Sequence, residues 1–323
     1  MVRLDNILPN KLSGKALGSV FLNRIGLYKR KNISYILVVK NSNKATRRQL
    51  MSRHDLTIAE WNAIRNYLPK KRSGKRGRPW VDHRKTINGI IWVLNAGAPW
   101  RDIPDCYGKW QTIYKRFRTW CQSGLWDRIW DRLIRRLQRN KQIDPSIWCV
   151  DGSIVRAHHS AVGGSCKTSR RAVENGLGRS RGGYSSKLHI VCDGQGIPLG
   201  ITVTAGQINE PTQFIDLMDS IPLKLQSKAN RPRYLAGDKA YVARYIFEWL
   251  EERAIGNVIP NRKNENKNPN FCRERYRQRN VVERLIGQLK HFRRIATRYD
   301  KTLESYLAMI KIAFLRITLR TIK

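Results

Sequence analysis

The strongest constraint on the fold is the order of five short strand patterns between residues 145 and 323. Each pattern is rich in β-branched or other apolar residues and is bounded by turn-forming residues. The patterns are SIWCVDGSIV (146–155), SKLHIVCDG (186–194), IPLGITVTAG (197–206), RYLAGD (233–238) and GNVIPN (256–261). Helical patterns follow the third strand at about 211–220, the fourth at about 240–253 and the fifth from about 279. Three successive strands followed by alternating helices and strands predict an α/β domain.

The second and third strand patterns are joined by Asp193-Gly194-Gln195-Gly196, a sequence typical of a β-hairpin. Later strands are separated by helices, which favours parallel pairing. We therefore predict a mixed five-stranded sheet flanked by helices over residues 145–323. This order of elements is that of the RNase H-like fold.

Residues 51–140 have the pattern of a small all-helical domain. Thr57 precedes Glu60 by three residues, which is the capping box of a helix start. Further helical patterns end at Gly97 and Gly124, and a fourth runs from Leu125. The expected exposed faces carry Lys115, Arg116, Arg118, Arg132, Arg135, Arg136 and Arg139. We predict a helix-turn-helix-like DNA-binding domain, with a helical bundle bearing a solvated basic face as the alternative.

The charge of the chain indicates an anionic partner. Its 63 Lys and Arg residues outnumber 24 Asp and Glu residues, which gives a formal charge of +39. A compact chain with this much positive charge favours double-stranded DNA as its partner. Arg76 and Arg78, in the segment RGRP, are candidates for insertion into a DNA minor groove, although an ordinary loop between helices fits equally. Residues 1–50 hold eleven basic residues and one acidic residue without a sustained period, and we expect a poorly ordered extension.

Cysteine usage and hydropathy favour a cytoplasmic, nucleoid-associated protein. The six Cys residues are never within five positions of each other, so the sequence has no zinc-binding or redox pair. No apolar run approaches the 18 residues or so of a membrane-spanning helix. We expect no membrane segment.

Two aspartates directly follow apolar strand segments. Asp151 follows IWCV, and Asp238 follows YLAG. A carboxylate at the end of a buried strand is costly unless it is paired or binds a metal ion. Two such residues on neighbouring strands would repel each other without a divalent cation, so both are candidate metal ligands.

A third candidate ligand lies on the predicted helix from about 279. Arg279, Glu283 and Lys290 are spaced to share one face beside the apolar stripe, and Tyr276 joins them if the helix begins early enough. A polar stripe beside a buried one suits a helix at the edge of a cleft. Taken alone, Arg279 and Glu283 are equally an ordinary helical ion pair.

The spacing of Tyr276, Arg279, Glu283 and Lys290 resembles the signature of bacterial insertion-sequence transposases that use an Asp-Asp-Glu triad. VDGSIVRAHHSA around Asp151, GDKAY (237–241) and the segments from LTIAEWNAI to GAPWRDIP extend the resemblance over about 51–323. The sequence is most similar to the insertion sequence 5 family. The resemblance implies an RNase H-like catalytic core, a divalent metal and DNA strand transfer.

This resemblance assigns roles to the candidate residues. Asp151 is expected to bridge two Mg²⁺ or Mn²⁺ ions, with Asp238 binding one and Glu283 the other. Arg279 and Lys290 are expected to hold DNA near the active centre, and Tyr276 to stack or hydrogen-bond there. Water is the expected nucleophile for end cleavage and the freed 3′-hydroxyl for joining. A homo-oligomer is expected when the protein assembles on DNA.

Two other functions remain open. One is a metal-dependent nuclease of RNase H-like fold that cuts without joining, and the other is a DNA-binding regulator whose catalytic activity has lapsed. Lys187 and His189 share one face of a predicted strand, which suits a functional site and a solvated sheet surface equally.

Overall fold

The computed structural model describes residues 53–69, 82–162, 175–180, 182–261 and 271–321. Residues 51–323 form one compact unit. Its helices are α1 (Ile58–Ile64), α2 (His83–Ala96), α3 (Trp110–Gln122), α4 (Leu125–Arg139), α5 (His159–Val162), α6 (Phe214–Asp219), α7 (Arg244–Glu252), α8 (Arg273–Arg277), α9 (Asn280–Lys290), α10 (Arg293–Ala296) and α11 (Leu303–Thr321). Its strands are β1 (Ile147–Ala157), β2 (Gly178–Ser180), β3 (Gly183–Asp193), β4 (Pro198–Ala205), β5 (Tyr234–Ala236), β6 (Gly256–Val258) and β7 (Thr297–Arg298).

The central sheet has the predicted five strands in the order β4-β3-β1-β5-β6. β3 is antiparallel to both β1 and β4, whereas β5 and β6 continue parallel to β1. The prediction of a mixed, RNase H-like sheet is confirmed. Two short strands were not predicted: β2 pairs with the start of β3, and β7 pairs with the end of β1.

The predicted hairpin between β3 and β4 is held by a buried carboxylate. Asp193 accepts hydrogen bonds from the backbone N–H groups of Gln195 and Ile197, and also from that of Asp144. Gly196 has a φ of 87°, which is accessible mainly to glycine. Local turn chemistry therefore sets the register of the two strands.

The helical region shares one hydrophobic core with the sheet. The C-terminal helix α11 contacts α1, α2, α3 and α4 as well as α9 and β4. The Trp130 and Phe314 rings, from α4 and α11, lie 5.4 Å apart. Glu60 of α1 and Arg316 of α11 form a buried ion pair. The chain changes from helices to strands between Arg139 and Ile147, and α11 packs against both parts.

The signals that predict the helix ends are seen in the structure. Thr57 and Glu60 form the complete capping box of α1. Gly97 ends α2 in the left-handed conformation, with a φ of 66°.

The helix expected from about 279 is α9, and a break at 278–279 separates it from the short helix α8 before it. The backbone N–H groups of Gln278, Arg279, Val281 and Val282 donate to carbonyls three residues earlier. Such bonds tighten the chain into 3₁₀ geometry and separate α8 from α9. Tyr276 therefore lies on α8, Arg279 lies in the break, and Glu283 lies in the first turn of α9.

Three of the predictions lie outside the described residues. These are the basic extension at 1–50, Arg76 and Arg78. Among the described helices, none combines the length and the apolar character needed to cross a membrane.

Candidate active site

Asp151 lies within β1, and Asp238 lies two residues beyond the end of the neighbouring parallel strand β5. In the register of β1 and β5, Cys149 pairs with Ala236. Asp151 and Asp238 each follow two residues later, so they lie at the same level of the sheet, although Asp151 is not at the end of its strand as expected, because β1 continues to Ala157. Asp151 accepts a hydrogen bond of 2.8 Å from the N–H of Gly152, and Asp238 accepts one of 2.9 Å from the N–H of Ala240.

Helix α9 brings the third carboxylate to this part of the sheet. It contacts β1 and β3 and buries Val282, Leu285 and Leu289. Glu283 lies beside this apolar stripe and its side chain is 53% exposed. The amphipathic pattern thus places a carboxylate at the cleft side of a helix that packs on the sheet.

Arg279 connects two of the three carboxylates. Its Nη2 lies 3.1 Å from Asp151 Oδ2, and its Nη1 lies 2.5 Å from Glu283 Oε1. The side chains of Arg279 and Asp151 are each only 14% exposed. The guanidinium therefore does more than form the i,i+4 helical pair that the sequence alone suggests, because it also reaches across to β1.

The charges at this site influence each other strongly. Burial raises the pKa of Asp151, and the nearby Asp238 and Glu283 raise it further. The guanidinium of Arg279 and the N–H of Gly152 act in the opposite direction. Burial opposes the charged form of Arg279 as well, but the carboxylates of Asp151 and Glu283 outweigh burial and raise its pKa. The site therefore concentrates negative charge that a cation must balance.

The donor chemistry of this site fits a divalent cation. Carboxylate oxygens are the hard ligands that Mg²⁺ and Mn²⁺ prefer, and a cationic group already joins Asp151 to Glu283. In the parts of the chain that the structure describes, no three His, Cys, Asp or Glu side chains converge closely enough to hold a metal ion. The guanidinium of Arg279 occupies the space between Asp151 and Glu283.

A further carboxylate, Glu210, lies against Gly152, the residue after Asp151, and was missed by sequence reasoning. A Cβ on Gly152 would come within 2.8 Å of Glu210 Cγ and 2.9 Å of its Oε1, so the glycine makes room for this side chain. Lys187 of β3 holds Glu210 through an ion pair of 3.0 Å. A glycine inside a strand pattern often marks a close approach of another group, and Gly152 was the available signal.

The interpretation of Lys187 and His189 as residues of a solvated sheet surface is wrong. Lys187 is 8% exposed and His189 is fully buried. His189 Nε2 lies 2.8 Å from Thr204 Oγ1, and burial followed by the charge of Lys187 lowers its pKa to about 4. The loop after β4 that carries Glu210 covers the strand face of Lys187 and His189.

The remaining predicted DNA-binding residues lie at different depths. Tyr276 is partly buried, with its ring 5.5 Å from that of Phe271. Lys290 is exposed at the end of α9, seven residues and therefore about 10 Å along the helix from Glu283. Both lie on the segment that carries Arg279.

Two family models match separate parts of the chain. The model described as "Putative transposase of IS4/5 family" matches residues 56–130. The model described as "Transposase DDE domain" matches residues 142–317. The RNase H-like sheet and the second match define the class as DDE transposases.

Relatives from insertion elements agree with this class. The chain is 32% identical over 152 residues to the "Putative transposase for insertion sequence element IS402" of Burkholderia cepacia, covering 46% of this chain and 69% of that protein. It is 38% identical over 103 residues to an uncharacterized 16.2 kDa protein of the same insertion element, covering 30% and 69%. It is 29% identical over 136 residues to the "Putative transposase for insertion sequence element IS6501" of Brucella ovis, covering 42% and 99%.

A solved pre-cleavage Mos1 transpososome aligns over 78% of this chain and 81% of its own, at 13% identity and a TM-score of 0.23, which is too low to bear on the fold.

From the family matches, the chain belongs to the IS4/5 family of insertion-sequence DDE transposases. Membership implies an enzyme that binds DNA and uses a divalent metal.

Proposed function

We propose that the protein binds the terminal inverted repeats of its insertion element, cleaves the DNA ends and joins the 3′-hydroxyl ends to target DNA. Asp151, Asp238 and Glu283 are the proposed catalytic residues and metal ligands. The observation that carries this proposal is the double contact of Arg279 with Asp151 and Glu283, because these two carboxylates lie close enough to pair with one guanidinium. The parallel register that aligns Asp151 with Asp238 supports it.

The proposed chemistry is phosphodiester transfer with two divalent ions. When bound, such ions stabilise charge on the attacking and leaving oxygens of an in-line displacement. Asp151 lies on β1, next to the strand that leads to Asp238, and is joined to Glu283 through Arg279. Asp151, Asp238 and Glu283 would together hold these ions. The buried sheet beneath keeps these side chains in place and limits access of bulk water from below.

Arg279, Lys290 and Tyr276 are proposed to position the DNA. Release from Asp151 leaves the guanidinium of Arg279 free to donate to a phosphate close to the reacting centre. Lys290, two helical turns from Glu283, adds a second phosphate contact, and Tyr276 stacks or hydrogen-bonds nearby. We further propose that the helical region of residues 51–140 recognises the repeats and that the protein forms a homo-oligomer on DNA.

A cleavage and joining assay tests the proposal. Labelled duplexes that carry the element ends are incubated with a supercoiled target plasmid, with chelator, Mg²⁺ or Mn²⁺. We expect metal-dependent cut ends and, from them, covalent end–target products. Cut products alone indicate a nuclease, and specific binding without cutting in any metal indicates a catalytically lapsed regulator. Ends that lack the terminal repeat serve as the matched DNA control.

A further inference from the structure

A basic groove lies between helix α4 and the loop that leads into β5. Its cavity has a volume of about 630 Å³ and lies between the C-terminal half of α4 and residues 222–230. The charged and aromatic side chains that line it are Tyr67, Arg132, Arg135, Arg139 and Lys224. The side-chain amide of Gln138 donates to the carbonyl of Ala229 and so connects the two walls.

Among the residues that the structure describes, the lining carries four positive charges and no carboxylate. Arg132, Arg135 and Arg139 are exposed and lie at steps of three and four on α4, so they point to one side of the helix. They span seven residues, or about 10 Å, which is the length of about three base-pair steps. The guanidinium of Arg132 lies 5.6 Å from the centre of the Tyr67 ring, which adds an aromatic surface to the groove.

The groove lies at the sheet edge opposite the carboxylates. Its loop leads into the first residue of β5, and α4 leads into the first residue of β1. The N–H of Arg233 donates to the carbonyl of Pro145, which ties the two strand entrances together. Asp238 lies just beyond the last residue of β5, and Asp151 lies within β1, four residues or about 13 Å from its start. A phosphate in the groove is therefore not the one that reacts.

We propose that this groove is a second DNA-binding site, which holds the sugar-phosphate backbone of duplex DNA away from the scissile phosphate. The proposal rests on the proposed function, because it takes DNA as the ligand. Three arginines along one helix face fit a run of phosphates better than a single small anion. The contacts are to the backbone, so the groove binds DNA irrespective of sequence.

Salt-dependent binding tests this site. A fluorescently labelled duplex of arbitrary sequence is titrated with the full chain in chelator, so that no cleavage occurs, at several salt concentrations. The groove variant combines Arg132→Gln, Arg135→Gln and Arg139→Gln. The control combines Arg244→Gln, Lys301→Gln and Arg320→Gln, which remove the same charge from exposed positions elsewhere. Thermal melts check that both variants remain folded.

The groove variant should lose affinity by at least about tenfold. Its slope of log K against log salt should fall by up to about 2.7, or about 0.9 for each phosphate that an arginine no longer neutralises. The control should change the slope much less. Equal losses in both variants would overturn the proposal, because they would report total charge alone. If inorganic pyrophosphate binds in the groove while the groove variant binds DNA as the wild type does, the groove is a small-anion site instead. Wild-type cleavage in Mg²⁺ is measured separately, so failure of the groove and failure of the proposed catalytic function are distinguishable.

Discussion

Arg279 and Asp151 form an ion pair that joins the segment before α9 to the central strand β1, with Nη2 3.1 Å from Oδ2. The two residues are 128 positions apart in the chain. Because each side chain is only 14% exposed, water screens the pair weakly. The arginine thus supplies the positive charge that the buried carboxylate needs, and any divalent cation must compete with it.

Replacement of Arg279 should make the protein depend on divalent metal for stability. Arg279→Gln leaves Asp151 without its cation and exposes it to repulsion from Asp238 and Glu283. We expect a loss of about 3 kcal/mol of unfolding free energy in chelator, and a larger rise in melting temperature on adding Mn²⁺ than the wild type shows. Arg284→Gln, which changes an exposed arginine on the adjoining helix α9, is the control. The same Mn²⁺ shift in wild type and Arg279→Gln would show that the arginine and the metal do not compete.

Replacement of each triad carboxylate should abolish chemistry without unfolding the protein. Glu283→Gln keeps size and helix propensity, and the half-exposed side chain makes a pair worth well under about 1 kcal/mol. End cleavage and joining should fall by orders of magnitude, with DNA binding retained. Asp151→Asn and Asp238→Asn should act alike, and wild-type activity should vanish in chelator and return with Mg²⁺ or Mn²⁺. Glu274→Gln on α8 is the matched control, and near-normal cleavage by folded Glu283→Gln would remove that residue from the triad.

Even the smallest side chain at position 152 should destabilise the protein. In Gly152→Ala the new Cβ would lie 2.8 Å from Glu210 Cγ, so Glu210 must move away from Lys187 or β1 must shift at Asp151. We expect a loss of about 1–3 kcal/mol in urea unfolding and reduced cleavage. Glu210→Ala removes the obstacle, so the double variant should be more stable than the sum of the single losses predicts, by about 1 kcal/mol. Strict additivity in this double-mutant cycle would place the two side chains out of contact.

Local sequence patterns are enough to predict the strands, the closeness of the two aspartates and the position of Glu283 on its helix. Apolar runs before Asp151 and Asp238 predict two strands that bring these residues close together, and the 3.6-residue period of α9 predicts that Glu283 lies beside a buried stripe. These relationships depend on period and chain direction alone. Glu210 and the inward turn of Arg279 depend instead on contacts between distant segments, and no local pattern specifies them. Burial of Lys187 has the same origin, because a loop after β4 covers a strand face that is polar in sequence.

A chain that begins at Met51 should fold and bind DNA. Residues 51–323 form one compact unit, and both family matches lie within it. Without residues 1–50 the chain keeps 52 basic and 23 acidic residues, so its formal charge is still +29. We expect a melting temperature within a few degrees of the full chain and a DNA affinity reduced by less than about tenfold. Loss of cooperative unfolding in the shorter chain would show that the extension is part of the fold.

His189 should make the protein less stable in acid. Its pKa is lowered to about 4 by burial and by Lys187, whereas an unfolded histidine titrates near 6.5. Between these values the unfolded chain binds a proton that the folded protein excludes, so the stability contributed by this site is constant above about pH 6.5 and falls as the pH drops toward 4. Relative to His189→Gln, which cannot titrate, the wild type should lose about 2–3 kcal/mol between pH 7 and pH 4.5. Asp193, whose pKa burial raises to about 6, is present in both proteins and cancels in this difference. Urea unfolding of the two proteins at both pH values measures the effect, and parallel pH dependences would mean that His189 accepts a proton in the folded state as readily as in the unfolded chain.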